Sequence, residues 1–359
     1  MKWRKIYTVL LLCLFLATGI VTLLFVLSEG IMHHHNTFVR RFPKMLATPS
    51  YQTDIKYNSY YFAGVGDGKI YLGNSTAPLQ IMVLDTLLKT REYHTITLND
   101  TTLPFRSVQV KVTPPYFYVL DGTVPCIYKG KTKNWKAFLK YKGTTNFSQA
   151  EIMDSTNIVF RGQSSVGENI IGKFDLTDTK SIVYGTDLLQ KQIDGVFDTD
   201  GVLNYDSKMK QIVYLYRYRN QFIVADSNLK LKHRGKTIDT ISKAQLKIAY
   251  IKNRRERTFA APPLVVNKTS NTSSGLLFVN SALLGKYESL EIWKHASIID
   301  VYNTSNNTYL SSFYVYDSNG KKMKSFVVYG NRLFALIDTE LVSYELNKYL
   351  LYGFKPIKK

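Results

Sequence analysis

The sequence predicts an all-β fold, a six-bladed β-propeller that follows an N-terminal transmembrane helix. Three observations support this prediction. Residues 6–27 form an apolar run without a charge. Short apolar runs of strand length, bounded by Gly, Asn, Asp and Pro, recur through the rest of the chain. The 26 Tyr and 19 Phe residues suit pleated, half-buried strands better than helices.

The apolar run at residues 6–27 is long enough to cross a bilayer. A helix of this length spans about 33 Å at roughly 1.5 Å per residue. Lys2, Arg4 and Lys5 precede the run, so the positive-inside rule predicts a single-pass protein with residues 1–5 in the cytoplasm. The alternative is a cleaved signal peptide, although its apolar core is usually only about 7–15 residues long.

Residues 28–50 are expected to form a stalk between the anchor and the folded domain. The stalk includes His33, His34 and His35. Adjacent imidazoles in an extended segment do not converge on one metal ion, so no metal is predicted there.

Residues 51–359 are expected to form the propeller. The strand-like runs group into six similar units, at residues 69–98, 106–141, 149–185, 201–236, 244–316 and 324–347. One small sheet cannot bury both of its faces, whereas sheets stacked around an axis can. We expect a strand within residues 53–62 to close the ring against the last unit, because a closed ring leaves no open edge. Seven blades, a β-sandwich and an irregular β-solenoid are the alternatives.

Several segments also carry a resemblance to known propellers. They are FVRRFP (38–43), GKTIDT (235–240), APPLVVN (261–267), LLFVNS (276–281), WKHASIIDVYN (293–303) and SSFYV (311–315). With them the chain resembles the TolB-like and NHL-like six-bladed propellers of exported bacterial systems, and more closely a group of membrane-anchored bacterial propellers. The resemblance implies a bacterial inner-membrane protein with its propeller in the periplasm, associated with a membrane redox or envelope system. It implies no catalytic residues.

Two short motifs resemble ligand-binding loops but are better explained as turns. Residues 64–68 read GVGDG but lead into a strand rather than the helix that a dinucleotide-binding loop requires. Residues 198–201 read DTDG, but the position of the last EF-hand ligand falls on Met209 instead of a glutamate. No cofactor is predicted.

The strongest charge feature is the basic segment at residues 229–257, within a chain of formal net charge +20. We expect residues 229–267 to form an insertion on one rim of the propeller, since loops on a rigid scaffold carry function. The candidate binding residues are Lys252, Arg254, Arg255, Arg257 and Asn267. An anionic surface or a membrane or envelope protein fits this charge better than nucleic acid, which is a poor partner outside the cytoplasm. A solvated rim that only aids solubility is the alternative.

Two functions compete at this stage. The first is a binding or scaffold module, because the chain combines an anchor and a propeller with no catalytic signature. The second is a metal-dependent hydrolase or lactonase-like enzyme with carboxylates around the channel. Its candidate ligands are Asp121, Asp154, Asp198, Asp239 and Asp300. The sequence favours the binding module and assigns no catalytic or metal-binding residue.

Overall fold

The computed structural model describes residues 2–32, 36–178, 182–251 and 256–352. The first element is α1 (Lys2–Met32). Within it, Lys5–Leu27 is long and apolar enough to cross a membrane and is exposed along its length. An anchor and a signal sequence both have these properties. The predicted run at residues 6–27 lies inside α1. The histidines of the predicted stalk lie outside the described residues.

The first three blades of the propeller follow in chain order, each an antiparallel sheet. Blade 1 contains β2 (Tyr60–Gly66), β3 (Lys69–Asn74), β4 (Gln80–Asp85) and β5 (Arg91–Thr95). Blade 2 contains β7 (Val108–Thr113), β8 (Tyr116–Asp121), β9 (Cys126–Lys131) and β10 (Lys136–Lys142), and the short β6 (Thr97–Leu98) pairs in parallel with β10. Blade 3 contains β11 (Phe147–Ile152), β12 (Asn157–Gln163), β13 (Asn169–Asp175) and β14 (Ile182–Gly185).

The second half of the ring repeats the pattern, with one interruption. Blade 4 contains β15 (Gly201–Asp206), β16 (Gln211–Tyr216), β17 (Gln221–Asp226) and β18 (Leu231–Lys236). A separate hairpin of β19 (Ile248–Ile251) and β20 (Glu256–Phe259) follows. Blade 5 contains β21 (Asn267–Ser273), β22 (Leu276–Ser281), β23 (Ala296–Asn303) and β24 (Thr308–Tyr316), with α2 (Leu290–Lys294) between β22 and β23. Blade 6 contains β25 (Met323–Tyr329), β26 (Arg332–Ile337) and β27 (Glu340–Leu346), and α3 (Lys348–Tyr352) follows.

The six blades form a closed ring, which confirms the predicted fold class. The first strand of each blade contacts the first strand of the next, from β2 through β7, β11, β15, β21 and β25 back to β2. Buried apolar clusters fill the space between successive blades. Central strands are therefore covered on both faces, and β16 is buried at every position. This explains why their sequences are continuous apolar runs rather than alternating ones.

Closure of the ring uses a strand earlier in the chain than the sequence predicted. β1 (Ala47–Asp54) is the outermost strand of blade 6 and pairs antiparallel with β27, with Asp54 opposite Glu340. The predicted range 53–62 instead covers the end of β1 and the start of β2. β1 reads ATPSYQTD, and Pro49 sits beside a register shift at the outer edge of the sheet. Proline is tolerated at such edge positions, so this polar segment lacks the usual signature of a strand.

Residues 36–50 also differ from the predicted stalk, because they pack on the propeller. Phe38 and Leu46 are buried in apolar clusters, and Arg40 is 7% exposed. Asn36 donates from Nδ2 to the carbonyl of Leu284 at 3.2 Å. The segment is therefore held against blade 5 before the chain enters β1.

The propeller has two different faces. At one end, here called the turn face, short turns join the first to the second strand of each blade and the third to the fourth strand of blades 1, 2, 4 and 5. One of them is the β2–β3 turn, where Asp67 and Gly68 have positive φ. The motif at residues 64–68 is therefore the end of β2 and a turn between strands, as predicted. At the other end, the loop face, lie the second-to-third-strand loops and the connections between blades. The long connections are all on the loop face, at residues 186–200, 237–266 and 282–295.

Candidate binding cleft on the loop face

A cleft of about 510 Å³ opens on the loop face beside blades 2, 3 and 4. Its aromatic lining residues are Phe147, Phe197, Tyr218 and Phe259, and its polar lining residues include Asn146, Arg161, Gln163, Asn169 and Asp200. These side chains come from blades 3 and 4, from the connections before β11 and β15, and from the β19–β20 hairpin. An apolar cleft with a few polar groups is the usual form of a ligand site in a folded domain.

An ion-pair network forms the polar floor of this cleft. The carboxylate of Asp200 accepts from Nη1 of Arg161 at 2.5 Å and from Nε of Arg217 at 2.7 Å. Nη1 of Arg161 also lies 3.2 Å from the hydroxyl of Tyr214. Burial alone would lower the pKa of Arg161, but Tyr214 and Asp200 together raise it. One carboxylate facing two guanidinium groups leaves the floor of the cleft with a net positive charge.

Aromatic contacts hold the hairpin at the edge of the cleft. The ring of Phe259 lies 4.4 Å from that of Phe197 and 5.9 Å from that of Tyr218, measured between centroids. Arg257, on the same strand, donates from Nη1 to the carbonyl of Asp194 at 3.2 Å. A two-stranded hairpin is marginally stable by itself, so these contacts fix its position.

The connection at residues 186–200 is itself ordered by a buried carboxylate. Asp198 is fully buried and accepts from the backbone N–H groups of Gln192, Ile193, Asp194 and Gly195. Burial alone would raise the pKa of Asp198, but these hydrogen bonds hold it below its usual range. The DTDG motif is thus part of a structured turn that places Phe197 and Asp200 in the cleft.

The predicted insertion is present, with narrower limits. β18 belongs to blade 4, so the insertion is the connection at residues 237–266 that contains the hairpin. Arg257 lies on the hairpin and is exposed. Lys252, Arg254 and Arg255 lie outside the described residues. Asn267 begins β21, is 1% exposed, and donates from Nδ2 to the carbonyls of Tyr216 and Arg219.

The cleft residues themselves were not predicted from the sequence. Phe197, Tyr218 and Phe259 belong to three segments that approach each other only in the ring. Asp200 was considered only as part of a calcium-like motif. No local sequence pattern identifies these four residues as a binding site. The one feature that could have indicated them is their position in connections between the strands of the blades.

A second large cavity, of about 530 Å³, lies along the propeller axis and reaches the turn face. It is lined by the inner strands and by turns such as residues 207–208 and 273–274. Inside it, Nζ of Lys111 contacts Oε1 of Glu151 at 2.6 Å, and Nδ2 of Asn204 donates to Oγ of Ser270 at 2.8 Å. These two contacts link polar side chains of neighbouring blades in the cavity.

The carboxylates considered for a metal-dependent enzyme do not form one group. Asp154, like Asp198, accepts from backbone N–H groups of its own turn. Asp121 accepts from the N–H groups of Thr123 and Val124 in its own turn and from those of Arg106 and Ser107 before β7. Asp300 pairs with Arg40, and Asp239 accepts from the hydroxyl of Thr237. Among the described residues, no group of three or more His, Cys, Asp or Glu side chains could hold a metal ion.

The comparisons with known proteins define the fold alone. No family model matches the chain, and no curated protein matches it by sequence. Among solved structures, the chain is similar to a member of the DUF4221 family from Bacteroides vulgatus, with 15% identity and a TM-score of 0.51 over 87% of this chain and 99% of that one. It also aligns with a chain of a mitotic checkpoint complex (12% identity, TM-score 0.48, 87% of this chain and 99% of that one). The calcium-binding protein regucalcin from Agrobacterium tumefaciens aligns at 10% identity, with a TM-score of 0.45 over 87% of this chain and 94% of that one.

Proposed function

We propose that the chain is a membrane-anchored binding module that turns its loop face toward the membrane and holds part of a membrane or envelope protein in the cleft. One observation carries this proposal. The segment that follows α1 packs on the loop face, where Asn36 bonds to Leu284 and the N–H of Lys286 donates to the carbonyl of Phe38 at 2.9 Å. The chain therefore reaches the propeller at the face that carries the cleft.

The reach of the backbone limits how far the loop face can lie from the anchor. Met32 ends α1, and Asn36 is already fixed on the propeller. Four Cα–Cα steps of about 3.8 Å span at most roughly 15 Å. The apolar span ends at Leu27, and the five helical residues from there to Met32 add about 8 Å. A propeller within roughly 23 Å of a membrane offers its loop face to neighbouring membrane proteins and to lipid headgroups.

The hairpin has the composition of a contact surface. Tyr250 and Ile251 on β19 are 58% and 40% exposed. Lys252, Arg254 and Arg255 follow directly in the sequence. Exposed aromatic and aliphatic groups beside Lys and Arg suit an anionic interface, because the apolar parts bury while the charges stay solvated.

The charge asymmetry around α1 supports a cytoplasmic N-terminus and a propeller on the opposite side of the membrane, the periplasm in the bacterial setting that the resemblance implies. In that setting, the partner is a protein of the inner membrane or envelope. The proposed redox or envelope association then depends on which protein occupies the cleft.

The test is photocrosslinking of the full chain in its native membrane. A benzoylphenylalanine at Tyr250 probes the loop face, and the same group at Tyr349 on α3, 74% exposed, probes the turn face. We expect an adduct with a membrane protein from position 250 and none from position 349. Phe197→Ala in the same chain should reduce the yield of this adduct.

Adducts from position 349 alone, or equal adducts from both positions, would overturn the proposed orientation. An adduct from position 250 whose yield is unchanged by Phe197→Ala would overturn the role of the cleft. An adduct with phospholipid alone would replace the protein partner by an anionic surface.

A further inference from the structure

A smaller cavity of about 380 Å³ lies on the loop face between the second-to-third-strand loop of blade 4 and the connections on either side of that blade. Arg219, Lys191 and Lys236 line it, together with the amides of Gln192 and Gln221. Lys191 and Lys236 are exposed, whereas Arg219 is 0% exposed. The lining therefore combines three cationic groups with neutral hydrogen-bonding groups.

Arg219 is a buried charge with little compensation. Its Nη2 donates to the carbonyl of Gln190 at 2.7 Å, and its guanidinium carbon lies 3.6 Å from the ring centroid of Tyr216. Its Nε and Nη1 are buried and have no hydrogen-bond partner in the part of the chain that the structure describes. Burial lowers the pKa of Arg219. An unpartnered buried guanidinium is costly unless a ligand supplies the missing acceptors.

The carboxylates of Asp198 and Glu168, near this cavity, already accept hydrogen bonds from other groups. Asp198 accepts the four backbone N–H groups of its own turn. Glu168 pairs with Nζ of Lys191 at 2.5 Å. Lys236 forms no ion pair among the described residues. Of the three cations, Lys191 is therefore paired already, whereas Arg219 and Lys236 form no ion pair in the described part of the chain. Asp198 acts on Arg219 only by an electrostatic attraction that opposes the effect of burial on the pKa of Arg219.

The walls of the cavity are rigid enough to form a site in advance of binding. The N–H and Nδ2 of Asn220 donate to the carbonyls of Ile241 and Asp239 at 2.7 and 2.6 Å. Nε2 of Gln192 donates to the carbonyl of Ser242 at 3.0 Å. These bonds tie the loop that carries Arg219 to the connection at residues 237–266, and they tie that connection to the one at residues 186–200.

We propose that this cavity binds a phosphate group, with Arg219, Lys191 and Lys236 as its cationic ligands. The unpartnered Nε and Nη1 of Arg219 can donate charge-assisted hydrogen bonds to a phosphate oxygen. Lys236, and Lys191 beside Glu168, add positive charge at the mouth of the cavity. The cavity has room for substituents on the phosphate, so the group could come from a free phosphate ester or from a lipid headgroup. Binding of a lipid headgroup rests on the membrane-facing orientation proposed above, whereas binding of a free phosphate ester does not.

The first experiment is equilibrium dialysis of inorganic phosphate against the full chain in maltoside micelles, at constant ionic strength set with KCl. We expect saturable binding of phosphate that Arg219→Met abolishes. Lys191→Gln combined with Lys236→Gln should weaken binding at least about tenfold, as expected for the loss of charge-assisted hydrogen bonds. The double variant tests the site even where Arg219→Met fails to fold, because both lysines are exposed.

The matched control is Lys230→Gln, which removes an exposed lysine from the same blade at the turn face and should leave binding unchanged. The second experiment follows lysine acetylation in phosphate-free nanodiscs by mass spectrometry. Protection of Lys191 and Lys236 by phosphatidylglycerol, with none by phosphatidylcholine, identifies a lipid headgroup as the source. Absence of both phosphate binding and lipid protection would overturn the proposal. Neither experiment involves the partner protein, so their failure is distinct from failure of the crosslinking test.

Discussion

Arg40 and Asp300 join the N-terminal segment to the middle of blade 5. Nε and Nη2 of Arg40 donate to the two carboxylate oxygens of Asp300 at 2.7 and 3.0 Å. Nη1 of the same guanidinium reaches both oxygens of Glu288 at 2.8 Å. Burial alone would lower the pKa of Arg40, but these two carboxylates raise it. Arg40 thereby attaches the segment that follows α1 to the buried strands of blade 5, in addition to the backbone hydrogen bonds of this segment.

Arg40→Gln should destabilise the propeller by about 3–5 kcal/mol, because it leaves two buried carboxylates without their cation. Urea denaturation of the full chain in maltoside micelles, followed by tyrosine and tryptophan fluorescence, measures this change. Lys44→Gln is the control, since Lys44 is exposed in the same segment. An unfolding midpoint for Arg40→Gln equal to that of the control would contradict the structural role of Arg40.

Asp239 should make the stability depend on pH between about 4 and 6. Burial raises the pKa of Asp239 to about 6, against the opposing hydrogen bonds from Thr237 and from the N–H of Ile241. In the unfolded chain this carboxyl ionises near pH 4. Because the folded protein favours the protonated form, the free energy of unfolding falls as the pH rises from about 4 to 6, and above about pH 6 it stays at its lower value. The cost at pH 7.5 is up to about 3 kcal/mol.

Asp239→Asn should remove this dependence, so that the variant gains stability over the wild type at pH 7.5 and not at pH 4. Urea titrations at both pH values measure the difference. Asp175→Asn is a control of opposite sign, because the hydroxyl and N–H of Thr177 lower the pKa of Asp175 and its contribution is lost as the pH falls. If both variants changed the stability in the same direction at both pH values, the predicted effect of Asp239 would be wrong.

Phe259→Ala should free the hairpin without unfolding the ring. The variant loses the ring contacts to Phe197 and Tyr218, and we expect the opening free energy of the hairpin to fall by about 1–2 kcal/mol. Hydrogen exchange at Ile248–Ile251 measures the opening. Phe138→Ala, at a side chain 55% exposed on β10, should leave exchange in the hairpin unchanged. Unchanged protection in Phe259→Ala would show that other contacts hold the hairpin.

Replacing Arg254, Arg255 and Arg257 together by Ser should reduce the crosslink yield at position 250 and make it less sensitive to salt. Interactions between exposed charges are screened within about 8–10 Å at physiological ionic strength, so loss of charge removes the salt-dependent part. Lys131, Lys133 and Lys136, all exposed near the turn face, give a control triple variant with the same change in charge. Equal effects of the two triple variants would mean that the segment is only a solvated rim.

A reporter that works only in the cytoplasm should be inactive when fused after Lys359, and active when fused before Met1. The expectation follows from Lys2, Arg4 and Lys5 on one side of the apolar run. Reporter activity in whole cells, normalised to protein amount, measures it. Activity of the C-terminal fusion would place the propeller in the cytoplasm and contradict the proposed location.

The blades were predictable because their pattern is local. The predicted unit at residues 201–236 spans β15 to β18, since the central strands β16 and β17 are apolar runs and the turns contain Asp, Asn or Lys. The segment at residues 36–54 was less accessible to prediction. Arg40 reads as a solvent-exposed charge until its partners Asp300 and Glu288 are known, and β1 reads as a loop because of Pro49.

The cleft and the phosphate site could not be predicted for a related reason. Arg219 lies in an RYRN sequence that is indistinguishable from a solvated turn. Its burial results from the packing of connections that begin and end in different blades. Part of the predicted basic segment lies in the loop-face connection at residues 237–266, but its charge pattern could not identify the residues that meet there.

The pairing of β1 with β27 also has a consequence for the order of synthesis. Thr53 is made early and Leu341, its partner in the ladder, almost last. For most of translation, β1 is an edge strand without a neighbour, and such an edge can pair with other chains. The contacts of Arg40 and Phe38 with blade 5 become available one blade before closure, so they can hold β1 beside the site where β27 will arrive. A ribosome-stalled chain that ends after blade 5 should therefore already protect residues near position 40 from proteolysis.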